Sequence, residues 1–178
     1  DEHPRPQTTL EDLAKLKPVF RKENGTVTAG NASGMNDAGA AVVLAGADTV
    51  KAKGLTPLAR IVASASAGVA PEVMGLGPIE AVPIALKRAG LTIADIDVIE
   101  SNEAFAVQSI AVAEALGFDP AKVIPNGGAV ALGHPLGATG ALLTVKTLYE
   151  LKRIGGRYGL ITMCIGGGQG IALIIENV

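Results

Sequence analysis

Cysteine occurs once in this chain of 178 residues, at Cys164. One thiol excludes an internal disulfide framework and fits a reducing compartment, so the expected location is the cytoplasm. Histidine occurs only twice, and two histidines with one cysteine cannot build a metal-ligand cluster, so no metal is expected. Excess charge is also scarce: the net charge is −2, with acidic and basic residues mixed along the chain. That leaves no basic field to recruit nucleic acid or an anionic membrane. The longest apolar stretch, Ala38–Ala47, falls far short of the roughly 20 residues a membrane helix needs. No basic-then-apolar leader opens the chain, so no secretory signal is expected. Phosphate-binding glycine motifs are missing too. Gly133, Gly137 and Gly140 do not make GxGxxG, no Walker-type GxxxxGK occurs, and Gly166–Gly170 runs into a strand-like segment instead of a helix.

What is present is 48% hydrophobic residues, enough to bury a real core in roughly one to two domains. The first residues, Asp1-Glu2-His3-Pro4-Arg5-Pro6, read like the middle of a loop, and the chain is expected to be a piece of a longer polypeptide. Leu10, Leu13 and Leu16 predict a short surface helix. Gly30–Asp37 is a loop of turn-formers, Ala40–Leu44 a short buried strand or helix end, and Ala47–Gly54 a helix closed by Gly54.

From Thr56 the pattern becomes regular. Strands are expected at Leu58–Ser64, Ile96–Glu100, Val123–Pro125, Tyr158–Met163 and Ile171–Ile175. Helices are expected at Pro78–Ala89, with its regular part delayed to about Pro83, at Glu103–Leu116, and from about Gly137 to Ile154. The last should turn Leu142, Val145, Leu148 and Leu151 to one face. The final two strands are apolar throughout, as strands covered on both faces should be. The order βαβαβαββ argues an α/β layered domain with a mixed sheet between helices.

Three residues fall where strands of this sheet end, which is where open α/β sheets place ligands. Cys164 lies in Met-Cys-Ile-Gly-Gly-Gly-Gln-Gly. By itself it reads as a small buried hydrophobe, but three adjacent glycines weaken a hairpin unless the backbone must approach something there. His134 lies in Gly-His-Pro-Leu-Gly, held extended by Pro135 and close to a helix N-terminus whose dipole opposes its protonation. A histidine hydrogen-bonded at a loop is the plainer reading. Asn102, in Ser-Asn-Glu-Ala-Phe, reads equally as an ordinary N-cap with Phe105 in the core. Together, thiol, imidazole and carboxamide suit acyl transfer through a thioester.

Asn-Glu-Ala-Phe at 102–105, Gly-Gly-Ala-Val-Ala-Leu-Gly-His-Pro-Leu-Gly-Ala-Thr-Gly at 127–140 and Cys-Ile-Gly-Gly-Gly-Gln-Gly at 164–170 resemble the three C-terminal motifs of the thiolases. Thr28–Asp37 resembles the family segment lining the coenzyme A tunnel, and the likeness covers essentially the whole chain, closest to the short-chain β-ketothiolases and acetyl-CoA acetyltransferases. The resemblance implies a thiolase-like layered fold. Residues 1–28 would be the tail of a loop domain, 29–56 the end of an N-terminal half, and 57–178 the C-terminal domain.

It further implies ping-pong acyl transfer between CoA thioesters, which are substrates, with no cofactor. Cys164 would be the acid/base cysteine, and His134 would activate the nucleophile and bind the thioester oxygen. Asn102 would hold a water in that oxyanion hole, while the Gly166 N–H would serve the other. Ser33 would contact the pantetheine arm and Arg5 the adenine-phosphate end. The implied partners are acetyl-CoA or acyl-CoA, the N-terminal half and further copies in a dimer or tetramer. The implied setting is fatty acid or polyhydroxyalkanoate metabolism. The family's nucleophilic cysteine has no counterpart here, so the chain alone is expected to be inactive. Two other readings stand beside this one: a self-contained Cys-His-Asn hydrolase and a non-catalytic assembly module.

Overall fold

A computed structural model describes residues 3–178; Asp1 and Glu2, the start of the loop reading, lie outside the described residues. Four strands form one sheet: β1 (Ala59–Gly68), β2 (Val98–Ser101), β3 (Tyr158–Ile165) and β4 (Gln169–Asn177), in the order β1-β4-β3-β2. β2 runs parallel to β3, while β3–β4 and β4–β1 are antiparallel, so the sheet is mixed as expected. The expected strand at Val123–Pro125 shrinks to a single bridge between Val123 and Ile99. Ile124 turns to a positive φ of 49°, which ends any extended run there.

Strand alternation sorts the side chains onto two faces. Ile99, Leu160, Ala172 and Ile174 face one layer, and Val98, Ile161 and Ile175 the other. The first layer is α3 (Gly77–Ala89) with α4 (Ala106–Leu116), through Ala81, Val82, Ala85 and Val112. The second is α6 (Thr139–Ile154), through Leu143 and Leu151. Short helices α1 (Leu10–Ala14), α2 (Ala47–Lys53) and α5 (Ala129–Leu132) complete the α-helices among the described residues, with 3-10 turns at Pro71–Leu76, Ile93–Asp95 and Pro120–Lys122.

Several local expectations shift for physical reasons. α3 runs unbroken from Gly77 through Pro83, because Pro83 sits on the exposed side, where the carbonyl it frees can be hydrated. α4 begins only at Ala106, with Phe105 as N-cap, so Asn102 is not the cap of that helix. The buried line of α6 is Thr139, Leu143, Thr147, Glu150 and Leu151, offset from the apolar stripe expected from sequence. Gly159 on β3 leaves room for the Thr147 methyl, whose hydroxyl bonds Leu143 O at 2.8 Å. Glu150 is satisfied by Arg153 and by Asn126 at 2.9 Å, which hold its carboxyl well below the usual range, at about 2.

Ala40–Leu44 forms neither strand nor helix and is exposed, with Val43 97% exposed. No described strand lies beside it to complete a ladder, so its backbone has no ladder partner among the described residues. α2 ends at Gly54, whose φ of 60° is the left-handed cap expected of a glycine there.

The start of α3 meets the start of β4 backbone to backbone: a Cβ on Gly170 would overlap the carbonyl of Gly77. Gly170→Ala should therefore lower stability by about 3 kcal/mol, the upper range for overpacking, because neither main chain can yield. Gly137→Ala, where an added Cβ meets nothing within 4 Å, should change little. Urea midpoints of the two variants decide it; equal midpoints would contradict this packing.

Apolar side chains left uncovered include Ile110 on α4 at 58% exposure, Val107 beside it, and Val43 and Leu44. Such a surface seeks cover. The isolated chain should associate or bind a hydrophobic dye strongly; a compact, dye-silent monomer in sedimentation would overturn this expectation.

Candidate functional site

The parallel pairing of β2 and β3 brings two of the three expected residues to one sheet edge. Ser101 pairs with Thr162, and Asn102 N donates to Thr162 O at 2.9 Å, so Asn102 follows the end of β2 beside the last residues of β3, where Cys164 lies. His134 arrives from the turn before α6. Its backbone N–H donates to Gly34 O at 2.8 Å, and its Nε2 lies 3.5 Å from Asn102 Nδ2.

The hydrogen-bond pattern assigns the tautomer of this imidazole. Thr139, the first residue of α6, donates its hydroxyl to Pro135 O at 3.0 Å. Lying 2.7 Å from His134 Nδ1, the same oxygen must accept, which puts the ring proton on Nδ1. Nε2 then carries the lone pair and accepts from Asn102. Burial pushes the imidazole below its ordinary pKa, so His134 is neutral and basic at Nε2. The expected direction therefore holds, with desolvation as its cause.

Cys164 is only 8% exposed, and burial pushes its thiol above the usual range. It makes no side-chain hydrogen bond to His134 or Asn102; the structure joins the latter two directly and leaves the thiol on the neighbouring strand end. The glycines after it divide into two kinds. Gly167 and Gly168 have φ of 88° and 94°, and Gly168 O accepts from Val69 N at 2.8 Å, so turn geometry and packing account for both. Gly166 is exposed, lacks positive φ, and an added Cβ there would meet nothing within 4 Å.

The segment 31–36 threads between the two loops by main-chain bonds. Ser33 N donates to Ala104 O and Ala106 N to Asn31 O, each at 2.9 Å, while Met35 bridges His134. Ser33 is half-buried within this seam. Arg5 is exposed and bonds His3 O at 3.0 Å; no described contact joins it to the other site residues. An open cleft of about 630 Å3 lies between 35–40 and 134–138.

Sequence reasoning did not single out Thr139, Glu103 or Glu100. Glu103 Oε2 accepts from Val130 N at 2.9 Å, tying the Asn102 loop to the start of α5. Thr139 carries one legible signal, a hydroxyl residue opening a helix five positions after a histidine. Thr139→Val should remove the acceptor for Nδ1–H and release the tautomer. In 15N spectra of the imidazole, the Nδ1-protonated pattern should give way to a mixture; an unchanged pattern would remove Thr139 from this role. As pH falls below about 6.5, an unfolded chain takes up a proton that folded His134 resists, so His134 contributes a loss of stability in that window.

Residues 55–177 match the family model described as thiolase, C-terminal domain, and residues 1–48 match thiolase, N-terminal domain. The beta-ketothiolase BktB of Cupriavidus necator is 63% identical over 178 residues, covering 100% of this chain and 45% of that protein. The crystal structure of the Bacillus anthracis acetyl-CoA acetyltransferase superposes with a TM-score of 0.94 at 52% identity, again over 100% of this chain and 45% of the other. Human mitochondrial 3-ketoacyl-CoA thiolase in complex with CoA gives 0.92 at 53%, with the same coverage. The chain thus spans about half the length of the relatives it matches.

Proposed function

Because the chain belongs to the thiolase family, as the C-terminal segment of a thiolase, we propose that it supplies the acid/base half of an acetyl-CoA C-acetyltransferase. The whole protein would condense two acetyl-CoA into acetoacetyl-CoA and CoA, or run the reverse thiolysis. The division is that expected from sequence: 1–28 the tail of a loop domain, 29–56 the end of the N-terminal half, 57–178 the C-terminal domain. The nucleophilic cysteine then comes from the part of the polypeptide before residue 1.

The observation that carries this reading is the neutral imidazole with its Nε2 lone pair beside the Asn102 carboxamide. His134 Nε2 takes the proton from the incoming cysteine thiol, the resulting thiolate attacks the acyl carbonyl, and CoA leaves with the proton of the Cys164 thiol, so that Cys164 becomes the thiolate. As the imidazolium forms, Nε2–H faces the thioester oxygen, and a water on Asn102 adds a second donor. In condensation the Cys164 thiolate removes the α-proton of acetyl-CoA, the enolate carbon bonds to the acyl carbonyl, and the displaced cysteine takes its proton back from His134. In thiolysis the Cys164 thiol returns that proton. A thiol held above its usual pKa suits the second task directly and makes its thiolate a strong base for the first. The Gly166 N–H would steady the enolate oxygen, Ser33 the pantetheine arm, and Arg5 the phosphates. A reaction run by free thiols fits a reducing compartment such as the cytoplasm.

A self-contained hydrolase would need the thiol bonded to its imidazole, and Cys164 lacks that bond.

Pure 178-residue chain should not thiolyse acetoacetyl-CoA. With the preceding half restored, Cys164→Ala should still form an acyl adduct with acetyl-CoA while turnover falls by about 10²–10⁴-fold. His134→Ala should slow acylation itself by about 10²–10³-fold. Intact-protein mass spectrometry reads both; failure of Cys164→Ala to acylate, or normal acylation by His134→Ala, would reverse the assignments. Comparing acetoacetyl-CoA with longer 3-ketoacyl-CoA substrates tests the chain length.

A further inference from the structure

Behind the Asn102–His134 pair lies a small, partly open cavity of about 70 Å3, whose wall includes Glu100, Asn102, Thr139 and Lys146. Their convergence follows from chain geometry. Glu100 ends one side of β2, and Asn102, two residues on, continues the same side toward α6. Thr139 and Lys146 are seven residues apart, two turns along one face of that helix. A strand side and a helix face thus enclose the same space, with Leu142 and Leu143 between the polar ends.

Glu100 is completely buried and only half satisfied. Its Oε2 accepts from Lys146 Nζ at 2.9 Å, and Lys146 also donates to Gly127 O at 2.7 Å. Oε1 has no partner among the described residues. A buried carboxylate oxygen left bare is unfavourable, and such atoms are normally met by internal water. The space suffices, since one water needs roughly 10–15 Å3 of such volume and two or more polar neighbours. Glu100, Asn102, Thr139 and Lys146 provide those neighbours.

We propose that this cavity is an ordered-water site in which water held by Glu100 Oε1 bridges to the Asn102 side chain, making Glu100 a positioning residue for the Asn102–His134 pair. Burial pushes the Glu100 carboxyl above its usual range, and Lys146 opposes that push and holds the group in place; the water passes that constraint to a carboxamide whose described side-chain partner is His134 Nε2. The effect on turnover rests on the acyl-transfer reading above, whereas the water and the carboxamide orientation do not.

The test uses the full-length polypeptide with the preceding half present. High-resolution crystal structures of the wild type, Glu100→Gln and the double variant Glu100→Met/Lys146→Met are compared. The double variant replaces a buried ion pair with apolar groups of similar size, a change that folds tolerate. The wild type should show ordered water within hydrogen-bond reach of Glu100 Oε1, and Glu100→Gln should retain it. The double variant should show a dry cavity, more than one orientation of Asn102, and altered 15N shifts of His134. Turnover of the double variant should fall by about 10- to 10²-fold with little change in KM, the scale expected of a misplaced group, and Glu100→Gln should recover most of it. A dry wild-type cavity overturns the proposal, as does a double variant whose Asn102 orientation, imidazole shifts and kcat match the wild type. A wild type that holds the water but does not act on CoA thioesters would sink the catalytic reading alone.

Discussion

The parallel pairing of β2 with β3 is the constraint from which the site is built. A four-residue strand, buried along its whole length, is clamped to a longer one. The ladder continues one bond further, from Asn102 N to Thr162 O, before the chain leaves the sheet. That extra bond fixes where the carboxamide departs. A parallel pair requires a crossover, and this crossover contains α4, the loop before α5, and α6. Every remaining site residue on this side of the sheet arrives on it. His134 is held at the entrance to α6 because Pro135 O accepts from Ala138 N, Thr139 N and the Thr139 hydroxyl at 2.8, 2.9 and 3.0 Å.

Desolvation then divides the chemistry. The same burial drives an imidazole and a thiol toward their neutral forms, one by lowering its pKa and the other by raising it. Neither group is paired with a charge. The one buried carboxylate behind them, Glu100, is answered by Lys146 two turns into α6, so the site has neutral reactive groups in front and a compensated charge at its back. Such an arrangement moves protons without separating charge over long distances in a low dielectric.

Much of this was legible in the chain. Apolar strands and glycine-ended helices are local signals, and Gly54, Gly90, Gly117 and Gly155 all take the left-handed cap that their positions suggest. Asn102 and Cys164 were legible at strand ends for the same reason. His134, expected at a strand end too, lies instead in the turn between α5 and α6, because the strand expected at Val123–Pro125 is only a bridge. What escaped depends on contacts between distant segments. Nothing around Thr147 announces that it lies deeper than Val145; that follows from Gly159 across the sheet. Ala40–Leu44 looks like a buried strand because its composition is right, but a strand also needs a neighbour, and composition does not report one. Glu100 within an apolar run reads as a strand's polar end, and only the helix packed over it shows that it is enclosed.

The seam formed by residues 31–36 has a consequence for connectivity. Its main-chain bonds to Ala104, Ala106 and His134 hold it in the site, whereas the covalent link onward passes through exposed 38–46, α2 and Gly54 before entering β1. Attachment in space and attachment along the chain are therefore separate. A nick within α2 would cut the polypeptide without cutting the site, and the two pieces would still have a backbone template on which to meet. The stretch between the seam and β1 behaves as a tether, free to change in length, while the seam itself is as much part of the sheet's edge as the loops it joins.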